Sequence, residues 1–102
     1  MIKVDQLFND SVRIFNLPFE MKRYSWFDFE DIKNSEPLFL KSIFKIRGVE
    51  RIKTDRYSVG VRKADAFEWY KIEPQILEIL EKEILNQKAI DDAIDFGMRV
   101  MP

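Results

Sequence analysis

The chain has 102 residues, 46% of them hydrophobic and 34% charged, with three glycines, four prolines and a net charge of -1, which is the balance of a folded chain and not of a disordered one. It contains no cysteine and no histidine, which excludes disulfides, thiolate metal or cluster sites within the chain, and thiol or imidazole catalysis. One core suits this length, burying roughly 65% of the surface that the unfolded chain exposes, so residues 1–102 are read as one domain with 85–102 as a C-terminal helical extension.

The start, Met1-Ile-Lys-Val-Asp-Gln, has no basic region followed by an apolar stretch, and no run approaches the roughly 18 to 20 apolar residues that cross a bilayer. A cytoplasmic chain without membrane contact is expected. Ile2 to Phe8 and Ser11 to Leu17 read as strands, with Asn9 and Asp10 as turn residues between them and Pro18 closing the second. Alternation places Val12 and Ile14 on one face of the second strand and Arg13 and Phe15 on the other. Lys22 to Phe29 is strand-like too, with Phe27 and Phe29 on one side and Trp26 and Asp28 on the other. Ser35-Glu36-Pro37 opens a helix whose apolar positions Phe39, Leu40, Ile43, Phe44 and Ile46 keep helical spacing up to the stop at Gly48.

Val49 to Lys53, a tight turn at Thr54-Asp55-Arg56, and Tyr57, Val59, Val61 alternating with Ser58, Gly60, Arg62 describe a half-buried hairpin. The main helix follows, with Ile72, Ile76, Leu77, Ile79, Leu80 and Ile84 as its apolar stripe and Pro74 in or near its first turn. After Asn86, Ala89 to Phe96 is a third short helix ended by Gly97. The order predicts an α+β two-layer sandwich of ββαββα type, a mostly antiparallel sheet of about four strands with two main helices on one face and the other face open.

Charge is uneven along the chain. Lys41 to Lys63 holds eight bases and two acids, a local +6, and Asp65 to Asp95 holds nine acids and three bases, a local -6. Either the two stretches neutralise each other across the fold or they leave a charged surface for a partner. The small total argues against a dedicated nucleic-acid binder. The acid groups Asp28/Glu30/Asp31 and Asp91/Asp92/Asp95 lack calcium-loop spacing and read as solvating residues or caps, and the scattered glycines build no phosphate loop. No catalytic residue, metal ligand or cofactor is expected.

Gly48 reads as a left-handed helix end. Gly60, inside a strand, marks either a bulge or the close approach of another surface. Trp69, beside Phe67 and Tyr70 at the start of the main helix, reads as core. With Val12/Ile14, Phe27/Phe29 and Tyr57/Val59/Val61 toward the helices, the open face is lined by Arg13, Phe15, Trp26, Ser58, Gly60 and Arg62. Of these, Arg13, Phe15, Trp26 and Arg62 are the candidate partner-binding residues, since Trp, Phe and Arg are enriched where interfaces hold their energy. The alternative is that Ala89 to Pro102, with Ile90, Ile94, Phe96, Met98, Val100 and Met101, folds back over that face as a second small core.

Several features between Ser35 and Leu80 stand in one order: the Ser35-Glu36-Pro37 helix start, the helix end Ile43-Phe44-Lys45-Ile46-Arg47-Gly48-Val49, the strand Tyr57-Ser58-Val59-Gly60-Val61-Arg62-Lys63, then Trp69 and Glu73-Pro74-Gln75-Ile76. In this the chain resembles the N-terminal domain of Nfu-type (NifU-like) iron-sulfur cluster scaffold proteins, a domain that in some bacteria also occurs alone. Val49 to Pro74 needs no gap against the family's pattern. Asn9-Asp10-Ser11 stands where the family commonly has Asn-Pro, and the Cys-x-x-Cys half of full-length scaffolds is absent. The resemblance implies an accessory role in iron-sulfur cluster assembly through protein partners, without catalysis or a cluster of its own. Two other classes stay open: a small nucleic-acid or regulatory binding domain using the Lys41 to Lys63 stretch and the aromatic strand face, and a structural N-terminal domain of a larger protein or oligomer.

Overall fold

Alternating apolar and polar residues become strands wherever one face of the sheet can be buried. Five do so here: β1 (Val4–Gln6), β2 (Val12–Asn16), β3 (Trp26–Phe27), β4 (Val49–Asp55) and β5 (Ser58–Lys63). They pair antiparallel throughout in the order β1-β2-β5-β4-β3. The computed structural model describes residues 2–7, 10–21, 26–27 and 38–100, and for 26–27 and 91–100 the backbone alone. The two-residue edge strand β3 falls within the strand-like stretch Lys22 to Phe29 and brings the sheet to five strands among the described residues.

Helix α1 (Leu38–Phe44) buries Phe39, Leu40, Ile43 and Phe44, the three- and four-residue spacing of one helix face. Its expected start at Ser35 to Pro37 lies outside the described residues. The chain leaves α1 through Gly48, whose φ of 102° is open to glycine and strained for other residues. The position is also crowded, since a Cβ there would stand 2.7 Å from Phe67 Cγ and 3.0 Å from Ile72 Cδ1. Helix α2 (Trp69–Val100) buries Trp69, Ile72, Ile76 and Leu80. These join Phe15, Ile52, Val59 and Val61 and the α1 residues in one core cluster. Both helices therefore cover the same face of the sheet, the two-layer α+β arrangement that the order of elements predicts.

Four expectations are corrected. The hairpin turns at Arg56 and Tyr57 and not at Thr54 to Arg56, because the ladder gains two further pairs, Thr54↔Val59 and Asp55↔Ser58. Thr54 is thereby 1% exposed and Tyr57, expected toward the helices, is 49% exposed. The break after Asn86 does not form; α2 runs on to Val100 through Gly97, so Ala89 to Val100 continues the helix instead of folding back over the open face. Pro74, expected in or near the first turn of α2, lies at its sixth residue, on the exposed side.

The fourth correction concerns β2. Directly opposed residues of an antiparallel pair share a face, and Phe15 stands opposite Val59 and Arg13 opposite Val61. Phe15, Val59 and Val61 are fully buried, so Phe15 and Arg13 lie on the helix-covered face, while Val12 and Ile14 lie on the open one. The energetic reason is that Phe15 offers the larger apolar area to the core, and that Arg13 finds partners under the helix. Its Nη1 meets Glu73 Oε1 at 2.9 Å, and its guanidinium sits 5.1 Å from the centre of the Trp69 ring. Its Nε is buried without a hydrogen-bond partner among the described residues, the cost of threading a cation between sheet and helix. The Trp69 indole N–H in turn donates to the carbonyl of Asp10, tying the β1–β2 turn to the start of α2.

Candidate functional site

The same register that buries Phe15 defines what the open face carries. One row across the sheet runs Trp26, Lys53, Gly60, Ile14, Asp5. The next runs Arg51, Arg62, Val12, and the row on the other side runs Asp55, Ser58, Asn16. The central strands thus bring Arg51, Lys53 and Arg62 together, with Gly60, Val12 and Ile14 as small or aliphatic ground between them. Of the four candidate residues, Trp26 and Arg62 keep their place in these rows, Trp26 by its register position. Arg13 and Phe15 are removed from the site, one to an ion pair under α2 and the other to the core.

Arg51 and Lys53 were missed as site residues, although the sequence carries a signal for them. In Arg51-Ile52-Lys53-Thr54-Asp55 the alternation continues to the end of the strand, and the buried Ile52 and Thr54 assign the three charged residues to the opposite face. Treating Thr54 and Asp55 as turn residues hid it.

Arg51 and Arg62 are direct cross-strand partners, an arrangement in which like charges oppose stability. Glu50 relieves part of this from the strand's irregular end, at 3.9 Å from Arg62 Nε. Among the described residues, the other acids of these rows, Asp5 and Asp55, sit at the rim. Asp5, on the edge strand, accepts from Asn16 Nδ2 at 3.0 Å and lies 3.9 Å from Lys3 Nζ, and Asp55 closes the hairpin end. Among the described residues, the rows at the middle of the face carry Arg51, Lys53 and Arg62 and those at the border carry both signs.

The two charge stretches are separated by layer only in part. Arg51, Lys53 and Arg62 belong to the open sheet face and Glu78 and Glu81 are exposed on α2, but Lys41 lies on α1, in the helix layer. The ion pair that ties the layers together uses Arg13 and Glu73, and Arg56 pairs with Glu20 and Lys82 with Glu78. Among the described residues no group of three or more carboxylates gathers to hold a metal ion. The acids Asp28, Glu30 and Asp31 lie outside the described residues, as do the side chains of Asp91, Asp92 and Asp95. No helix among the described residues is long and apolar enough to cross a membrane.

Fold and face together define a class: a two-layer α+β domain whose helices cover one side of an antiparallel sheet and leave the other as a broad, centrally basic surface. The family model "Scaffold protein Nfu/NifU N terminal" matches residues 2–87, and the chain belongs to that family, one related to iron-sulfur assembly scaffolds. Among solved structures it is similar to a NifU-like protein from Saccharomyces cerevisiae, with a TM-score of 0.71 and 21% identity over 84% of this chain and 79% of that one. A Staphylococcus aureus protein solved by crystallography gives a TM-score of 0.68 and 19% identity over 76% of this chain and 95% of that one. A third, from Staphylococcus epidermidis, gives 0.56 and 20% identity over 79% and 94%. Among curated proteins none matches. At these identities the structural likeness speaks for the fold alone.

Proposed function

We propose that this chain is a protein-recognition module in iron-sulfur protein maturation, acting through partner contacts and without catalytic chemistry of its own. The observation that carries the reading is the match to the scaffold N-terminal family over residues 2–87 in a chain without cysteine or histidine. Clusters are held chiefly by cysteine thiolates, with histidine as the common substitute. A cluster handled in the presence of these 102 residues is then ligated outside them, and what they add is recognition. The open sheet face is the surface suited to it, since three cations, two aliphatic residues and a glycine share it.

Affinity capture with the full chain from its native cell tests this. Recovery of cluster-assembly or cluster-recipient proteins, sensitive to moderate salt, is the expected result. A reproducible partner list containing none of them contradicts it, and recovery dominated by RNA or DNA would move the chain to the nucleic-acid class.

A further inference from the structure

Gln75, Ile79, Lys82 and Asn86 recur along α2 at alternating steps of four and three residues, which sets them on one side of the helix. All four line a shallow groove between α2 and α1, made of two hollows of about 310 and 420 Å³ that meet at Ser42, Ile79 and Lys82. Gln75, Lys82 and Asn86 are exposed, as is Leu38 at the groove's α1 end. The same steps carry the line onward through Ala89, Ala93, Phe96 and Val100.

That onward part of α2 has left the core. Leu80 is fully buried, whereas Leu85 is 68% and Ile90 46% exposed, with Asn86, Lys88 and Ala89 exposed between them. The residues from Leu85 to Val100 add roughly 24 Å of helix, in a molecule 57 Å long and 29 by 20 Å across. Helical spacing puts Leu85, Ile90, Ile94, Phe96, Met98 and Val100 on one broad side, and Lys88, Asp91, Asp92, Asp95 and Arg99 on the other. An exposed amphipathic helix thus begins where the groove ends.

One chain cannot join the two, because α2 is itself a wall of the groove and runs unbroken to Val100, away from it. We infer that a second copy supplies the occupant: two α2 helices pack antiparallel about a two-fold axis between residues 87 and 88, each extension lying in the other copy's groove. The line then maps onto itself, Gln75 meeting Val100, Ile79 meeting Phe96, Lys82 meeting Ala93 and Asn86 meeting Ala89 of the other copy. Such a contact is self-complementary and closes at two copies. A parallel pair would oppose Lys82 to Lys82 and leave both grooves empty.

The area suffices. Six large apolar side chains at roughly 60–120 Å² each give roughly 400–700 Å² per extension. The contact occurs twice and covers a groove each time, so the total passes the roughly 1,200 Å² at which stable interfaces begin. Charge points the same way, since the extension's polar side holds three acids against two bases and the α1 rim presents the exposed Lys45. An anionic lipid surface calls for a basic polar side instead.

Sedimentation equilibrium on the full chain is expected to give twice the 12.3 kDa of one copy. Phe96→Glu is expected to weaken self-association by about thirtyfold or more, with the backbone amide shifts of β2 and β5 unchanged. Because the chain has no cysteine, introduced ones report the orientation: Gln75→Cys and Val100→Cys chains are expected to cross-link with each other when mixed, and neither with itself. A monomeric wild type overturns the inference, whether the line is then open, covered by the chain's own residues or bound to lipid vesicles. So does an open series of larger species, a dimer that Phe96→Glu leaves intact, or a cysteine variant that cross-links with itself.

Discussion

Replacement of Phe15 by alanine is expected to destabilise the protein by about 3–5 kcal/mol, the range for truncating a buried phenylalanine. The side chain is 0% exposed and shares one cluster with Val59, Val61 and Leu80, so its removal leaves a cavity between sheet and helices that rigid strands cannot close. Against a typical total of about 5–15 kcal/mol this is a large fraction, read as a fall in the midpoint of chemical denaturation with little change in slope. Ile14→Ala, one residue away on the half-buried open face, is the internal comparison and should cost markedly less. Equal costs at the two positions would contradict the assigned faces of β2. A loss of partner binding in Phe15→Ala follows only from unfolding, since the ring does not reach the open face.

Gly48→Ala is expected to cost about 2–5 kcal/mol, for two reasons that can be separated. A non-glycine residue at a φ of 102° carries a backbone strain of about 1–2 kcal/mol. The added methyl would also press on Phe67 at 2.7 Å and 2.9 Å and on Ile72 at 3.0 Å, an overpacking of about 1–3 kcal/mol. Moving Phe67 relieves only the second, so in a Phe67→Leu background Gly48→Ala should recover part of its cost and no more. Full recovery would mean that backbone strain contributes nothing, and a Gly48→Ala protein as stable as the wild type would contradict the left-handed exit from α1. The exit matters to the site because the Gly48 carbonyl accepts from Ala64 N at 2.8 Å, which fixes the end of β5 beside the start of β4.

Much of this architecture is legible in the sequence, since the hairpin, the two helices and their shared side of the sheet follow from periodicity and from where glycine stands. The interaction face is half legible. A period of two fixes which residues travel together but leaves which set goes inward to the partners available. For β2 the choice between Val12/Ile14 and Arg13/Phe15 turned on an ion pair and a ring stack from α2, at Glu73 and Trp69, sixty residues away. A local signal existed in the next two residues: Asn16 falls with Ile14 and Leu17 with Phe15, and Leu17 is buried. Arg51 and Lys53 are hard to assign because Thr54 and Asp55 are turn-forming residue types, a local preference that two further ladder pairs override. The continuity of α2 is hidden by the turn-prone Asn86 and by the glycine at 97, both of which a helix of this length tolerates.

The proposed recognition surface is the open face, around Arg51, Lys53 and Arg62, and not Arg13 and Phe15, which lie beneath the helices. Parallel capture from native lysate with the wild-type chain and with Arg51→Glu/Arg62→Glu, each first checked for an unchanged Tm, tests it most directly. Cluster-assembly partners bound by the wild type are expected to be lost from the charge-reversed chain at equal stability. The same partners recovered in the same yield by both chains would contradict it.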